Sequence, residues 1–190
     1  MTRSVDINII KPVSTVPDIN FSDVPFTTTL LVRDTCLCLH VQRAARTLAR
    51  RFDEALKPAG LTNGQFSLLM SLNRPNLPGI PPATMSSVSQ LLGMDRTTLT
   101  ASVKTLAARS LLEIHADPRD RRVRHLRLTP AGRETLARAV PIWTATHAEV
   151  EQGLKSPDTL RAELCTLAGQ SDVPCAPPAT SATSAIAKPS

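Results

Sequence analysis

Tyrosine is absent from this chain, tryptophan occurs once, and aromatic residues make up only 3% of it. A core made from this composition is mostly Leu, Val and Ala. The four cysteines include no CxxC pair, and Cys36 and Cys38 fall about 200° apart on a helix. No His/Cys set has the spacing of a zinc site, so neither a metal nor a cofactor is expected. His40, His115, His125 and His147 stand singly and are treated as structural or solvated. No nucleophile has a paired base motif, which argues against a thiol enzyme and against catalysis in general. No apolar run approaches the ~20 residues of a membrane span. The opening MTRSVDINIIKPV carries charges and a proline where a signal peptide needs an apolar run. The expectation is a cytoplasmic protein with no membrane partner, and its cysteines are expected as thiols.

What the chain does have is 190 residues, enough for one domain with tails, and an apolar content of 42%. Its net charge is +6, a weak pointer to a polyanionic partner until its distribution is considered. Between Asp95 and Glu134 nine positive residues face five negative ones, so +4 of the +6 lies in about a fifth of the chain.

That segment is the centre of the reading. Gly93-Met94-Asp95 supplies a tight reversal, an apolar plug and an N-cap, which is the turn of a helix-turn-helix. The helix from Arg96 to about Arg109 points Leu99, Val103, Leu106 and Ala107 inward. Thr97, Thr100, Ala101 and Lys104 recur at i, i+3, i+4 and i+7, and so share one face. Small polar side chains with one long cation can approach base edges. Leu111–His115 and Val123–Leu128 have strand character, with Leu126 and Leu128 inward and His125 and Arg127 outward. Between them lies the arginine-rich tip Asp117-Pro118-Arg119-Asp120-Arg121-Arg122.

The flanks are predominantly helical. Residues 1–33 show no clear period and read as an extended or disordered arm, either a floppy leader or a segment packed on a partner subunit. A first helix spans about 34–56, capped by Asp34 or Thr35 and ended by Lys57-Pro58-Ala59-Gly60. Thr62-Asn63-Gly64-Gln65 fits a capping box. A four-proline loop over 74–82 leads to a short strand at Ala83-Thr84-Met85. Ser86 or Ser87 then caps a helix carrying Val88, Leu91 and Leu92. Thr129-Pro130 opens a helix to about Leu154, which Pro141 should kink, and Ser156-Pro157 opens the last one, ending at Gly169. Residues 170–190 are rich in Pro, Ala and Ser and read as a disordered tail. The fold class is mainly α with a small β-hairpin wing: a winged helix-turn-helix plus a helical dimerisation region.

The runs GLTNGQFSLLMSL, SSVSQLLGMDRTTLTASVKTLAARSLLE and DPRDRRVRHLRLTPAGRETL resemble the MarR family of winged-helix transcriptional regulators over about residues 34–169. The Asp-x-Arg wing followed by Leu-Thr-x-x-Gly is the most specific part. The resemblance implies a homodimer made by helices 34–56, 130–154 and 156–169, with a DNA-binding lobe over 62–129. It makes helix 96–109 the recognition helix in the major groove and hairpin 111–128 the wing. Arg122 matches the wing arginine that enters the minor groove, and Asp120 the acid that orients it. It further implies repression at a pseudo-palindromic operator in double-stranded DNA, with release by a small lipophilic or phenolic effector or by an oxidant. The chain departs from the family pattern at Ser110, where a glycine usually ends the recognition helix. It also departs at Ile114, where a basic residue is common, and at Ser89, where alanine is usual.

The expected function is therefore sequence-specific DNA binding in transcriptional regulation. The expected recognition-helix contacts are Arg96, Thr97, Thr98, Thr100, Ala101 and Lys104. The expected wing contacts are Arg119, Asp120, Arg121, Arg122 and Arg124. The two recognition helices of a dimer should lie about one DNA turn, roughly 34 Å, apart. Two alternatives stay open: a winged-helix module that docks an acidic protein without specific DNA binding, and an oxidant-sensing repressor using Cys38. Cys38 stands where the peroxide-sensing branch of the family places its reactive thiol, but Gln42 and Phe52 replace the tyrosines found there.

Overall fold

The computed structural model describes residues 24–74, 82–120 and 122–169. They divide into two units, one ending at Leu48 and one beginning at Ala49. In the first unit Pro25 precedes helix α1 (Phe26–Thr35), its fixed φ suiting a helix start. The arm expected to be extended up to residue 33 is thus helical from Phe26 onward, and Asp34 lies inside α1 rather than capping the next helix. Cys36, with an extended ψ of 103°, separates α1 from α2 (Leu37–Leu56). No residue from 24 to 48 is buried, although Phe26, Leu31 and Leu37 are 72%, 61% and 67% exposed. Alone, this unit of the single chain has no core.

The second unit holds the core. Lys57–Ala59 forms one 3-10 turn after α2, and Gly60 follows in the left-handed region, as the Pro58/Gly60 pattern predicts. Thr62 and Gln65 form the expected capping box at the start of α3 (Asn63–Ser71). The four-proline loop lies mostly outside the described residues. Ala83–Thr84 is strand β1, followed at once by α4 (Met85–Leu92). The cap of α4 is Thr84, in a reciprocal box with Ser87, so Ser86 and Ser87 sit inside the helix. Then come α5 (Arg96–Ala108), β2 (Leu112–Ala116), β3 (Arg124–Leu128), α6 (Pro130–Gln152) and α7 (Pro157–Leu167). Thr129 caps α6 and Pro130 occupies its first position. Pro141 lies within α6.

The hairpin belongs to a three-stranded antiparallel sheet in the order β1-β3-β2. Ala83 pairs with Leu126, and Leu112 with Leu128. Leu56, Leu68, Leu69, Val88, Leu99, Leu106 and Leu112 are essentially fully buried and tie α2, α3, α4, α5 and the sheet into one core. The aromatic deficit is met by leucine, as the composition requires. In α7 no residue is buried, and Leu160, Leu164 and Leu167 form a stripe 38–61% exposed. Cys36 and Cys38 are free, whereas Cys165 is disulfide-bonded, which corrects the expectation of four thiols.

Ser110 carries the one positive φ (+56°) found at a non-glycine among the described residues. It is the C′ residue of α5 in a Schellman motif: its amide donates to Ala107 O (2.9 Å) and that of Leu111 to Leu106 O (3.0 Å). A side chain in this region costs about 1 kcal/mol, and its hydroxyl makes no hydrogen bond with another described residue. Ser110→Gly is expected to stabilise the protein by about 0.5–1 kcal/mol, read as a raised urea midpoint at unchanged slope.

Candidate nucleic-acid interface

The turn that aims α5 is built from local chemistry. Gly93 adopts φ +60°, and the Met94 amide returns to Ser89 O at 3.1 Å. The Ser89 hydroxyl donates to Met94 O at 2.7 Å, closing the same turn from the other side. Serine in place of the usual alanine thus adds a clasp. Met94 packs against the core, as the plug reading requires. Asp95 caps α5, accepting from the Thr98 amide (2.8 Å) and hydroxyl (2.6 Å), and these bonds hold its carboxyl below the usual range.

On α5, Leu99, Val103 and Leu106 are buried, while Arg96, Thr97, Thr98, Ala101 and Lys104 are exposed and Thr100 is half-buried. The candidate reading face is therefore open. Its threonines are not equivalent. Thr98 is committed to Asp95, and the Thr100 hydroxyl donates to Arg96 O at 2.7 Å, leaving only lone pairs and a methyl group outward. Thr97 makes no hydrogen bond through its hydroxyl among the described residues, so it alone of the three keeps a free donor.

The wing tip is organised by Asp117. Its Oδ1 accepts from the Arg119 amide (2.7 Å) and the Asp120 amide (2.9 Å), and its own amide donates to Val123 O (3.0 Å). Asp120 accepts from the backbone amide of Arg122 at 2.9 Å. The acid expected to orient the Arg122 side chain acts here on its backbone. Asp117 Oδ2 lies 2.7 Å from Nε2 of His125. This hydrogen bond, with the two turn amides, brings the Asp117 carboxyl down to about 2, so it is ionised throughout the neutral range. His125 shares the outward face of β3 with Arg127, but Asp117 covers it and its side chain is only 15% exposed. Arg121 lies outside the described residues.

The cations of this surface are left without carboxylate partners, as are Arg43, Arg46, Arg74, Arg133 and Lys155 among the described residues elsewhere. Arg96, Lys104, Arg119, Arg122, Arg124 and Arg127 are exposed, and none forms an ion pair among the described residues. Elsewhere, Arg51 pairs with Glu149 (2.8 Å), Arg138 with Glu134 (3.2 Å), Lys57 with Glu54 (2.7 Å), and Arg161 with Glu151 and Asp158. Cations left without carboxylates are available to an external polyanion. Cys38 is exposed and receives a hydrogen bond from Gln42 Nε2 at 3.1 Å, and Arg46 in turn donates to Gln42. No group of three or more metal-ligating side chains gathers among the described residues, and no described helix is long and apolar enough to cross a membrane.

A helix-turn-helix followed by a basic β-wing defines a winged-helix protein, the class whose members present one helix and one hairpin to DNA. Residues 59–123 match the MarR family model. The chain is 34% identical to the transcriptional regulator MosR of M. tuberculosis, solved in complex with DNA, over 70% of this chain and 94% of that one, with a TM-score of 0.63. It is 26% identical to Bordetella bronchiseptica BpsR, whose DNA binding is regulated by 6-hydroxynicotinic acid, over 73% and 95% of the two chains, with a TM-score of 0.59. It is also 33% identical over 119 residues to the transcriptional repressor MprA of Escherichia coli, covering 63% of this chain and 62% of the relative. The chain belongs to the MarR family of transcriptional regulators.

Proposed function

We propose that this protein is a homodimeric, sequence-specific DNA-binding regulator that represses transcription from a pseudo-palindromic operator and acts by binding rather than catalysis. The observation that carries the proposal is the group of six exposed cations without carboxylate partners on the recognition helix and wing, Arg96, Lys104, Arg119, Arg122, Arg124 and Arg127. Such a surface neutralises phosphates and releases their counterions, the main source of DNA affinity. Thr97, Thr100, Ala101 and Arg96 present hydrogen-bonding and apolar groups to base edges, while Lys104 and the wing arginines grip the backbone.

The dimer is supported by apolar side chains that the single chain leaves in water: Phe26, Leu31 and Leu37 in one unit, and the α7 stripe in the other. Exposed apolar surface of this extent marks an interface. The MprA likeness supports repression, and the regulation of BpsR by a small aromatic acid supports release by a small lipophilic or phenolic effector. The site of action is the cytoplasm, where the DNA is.

The test is a gel-shift titration of the full chain against the DNA upstream of its own gene, with scrambled DNA as competitor. A dimer-sized complex that survives the competitor and weakens steeply with salt is expected. Failure to bind any such fragment at low salt would overturn the proposal and favour a basic face that docks an acidic protein.

A further inference from the structure

His125 attracts no notice in the sequence, where it is one of four isolated histidines. In the structure it is the strand residue to which the wing tip is tied. The tip runs from Asp117 to Val123, carries Arg119, Arg121 and Arg122, and contains no apolar side chain larger than proline before Val123. Hydrophobic packing therefore does little to hold it. Its order comes from hydrogen bonds that converge on one carboxylate. Asp117 Oδ1 takes the amides of Arg119 and Asp120, and Oδ2 takes Nε2 of His125. The remaining links are Asp117 N to Val123 O and Val123 N to Asp120 O, at 3.0 and 2.9 Å, and the Arg122 amide to Asp120 Oδ1, at 2.9 Å.

His125 is suited to be the fixed end of this arrangement. It lies in β3, between the paired strands β1 and β2, opposite Thr84 and His115. Its Nδ1 is buried without a hydrogen-bond partner. Because Nδ1 has no competing partner, Nε2 carries the ring's one directional bond, which goes to Asp117. The other wing histidine does not compete for that carboxylate, since His115 Nε2 lies 2.9 Å from Glu113. A half-buried imidazole on the central strand thus fixes a carboxylate, which in turn fixes the backbone at Arg119 and Asp120.

Resting on the DNA-binding reading above, we propose that His125, acting through Asp117, is a positioning residue that holds the arginine tip of the wing in its DNA-gripping conformation. It touches no phosphate or base itself. Its effect is on the entropy of the tip: arginines on an unordered loop must be ordered when DNA binds, which lowers affinity.

The test uses three variants of the full-length protein. His125→Leu keeps apolar bulk but removes the donor. His125→Asn keeps polarity, but its short amide falls short of Asp117. The longer amide of His125→Gln reaches about as far as Nε2 and restores the donor. Amide hydrogen exchange, followed by NMR without DNA, reports the anchor directly. Exchange at Arg119 and Asp120 is expected to speed at least tenfold in the Leu and Asn variants and to return towards wild type in the Gln variant. Operator affinity is expected to fall about tenfold in the same two variants, with a shallower salt dependence, while the urea midpoint of the folded core barely moves. Unchanged exchange in both variants overturns the anchor. Faster exchange with undiminished operator affinity overturns its part in gripping DNA. Should His125→Leu fail to fold, the Asn and Gln pair carries the comparison alone. If the wild type binds no DNA at all, the DNA reading fails, while the exchange data still decide whether His125 orders the tip.

Discussion

Gly132→Ala is expected to destabilise the unit that begins at Ala49 by at least about 4 kcal/mol, a large part of the ~5–15 kcal/mol that holds an ordinary domain together. A Cβ at this position would stand 2.0 Å from the carbonyl oxygen of Leu111 and 2.9 Å from Cδ1 of Leu128. The oxygen is backbone and cannot swing aside. It also accepts the Thr129 amide at 3.2 Å, so moving it breaks the junction that joins α6 to the wing. Thr129 makes that junction tighter still: its hydroxyl donates to Ser110 O at 2.7 Å and accepts from the Gly132 amide at 3.0 Å. The end of α5, the start of β2 and the first turn of α6 therefore meet where no side chain fits. Gly153→Ala is the control, because its added Cβ would lie 3.5 Å from Val150 O, an ordinary contact. Urea unfolding of both variants reads the difference, and a Gly132→Ala loss below about 1 kcal/mol would show that α6 can shift without cost.

The same junction illustrates what sequence could convey. The Leu-Thr-x-x-Gly run marks Thr129 as a cap and Gly132 as part of a family pattern, but not the approach of the Leu111 carbonyl. Caps and turns were legible because each is closed within five residues: Thr62 with Gln65, Gly93 with Met94, Asp95 with Thr98. The cap of α4 lies two or three residues before the serines the sequence suggests, because Thr84, Ser86 and Ser87 are all competent and only the fold selects Thr84. Helix α1 escaped notice for a different reason. Its apolar residues bury nothing in the single chain, so no periodicity in Phe26–Thr35 declares an inward face. The pairing of β1 with β3 joins residues more than forty positions apart, and two residues of strand carry no register of their own.

At the candidate interface, the residue types were legible and their division of labour was not. Arg96, Thr97, Ala101 and Lys104 are exposed on α5 where the i, i+3, i+4, i+7 spacing puts them. That Thr98 is consumed by its cap and Thr100 by the Arg96 carbonyl depends on rotamers that spacing does not specify. His125 was placed on the outer face by strand alternation, which is right for Arg127. It holds for His125 as well, but alternation does not show that the tip folds back and brings Asp117 over the ring. An aspartate eight residues before a strand histidine is the only signal, and it is too common to use alone.

Replacing Arg119, Arg122 and Arg124 together with alanine is expected to flatten the salt dependence of operator binding, so that the loss in affinity at 50 mM salt exceeds the loss at 200 mM by a factor on the order of 10³. Each cation that neutralises a phosphate contributes about 0.9 to the slope of log K against log salt concentration. Three arginines on each of two wings then account for a slope of about 5. Over a fourfold rise in salt, from 50 to 200 mM, a slope of that size is a factor on the order of 10³. The wild type should therefore lose most of its advantage as salt rises, and the two titration curves should draw together between 50 and 200 mM. Specific and scrambled DNA should be affected alike, because backbone contacts carry no sequence information. Thr97→Ala should do the opposite: its salt slope stays that of the wild type, while the preference for operator over scrambled DNA falls by about 1–3 kcal/mol if the free hydroxyl reads a base edge. Arg138→Ala removes the same charge from a residue already paired with Glu134 and should leave the slope unchanged. These outcomes separate a wing that grips from a surface that is merely basic. If the triple variant keeps the wild-type slope, Arg119, Arg122 and Arg124 do not meet phosphate, and the grip on DNA has to come from α5 and the remaining wing arginines.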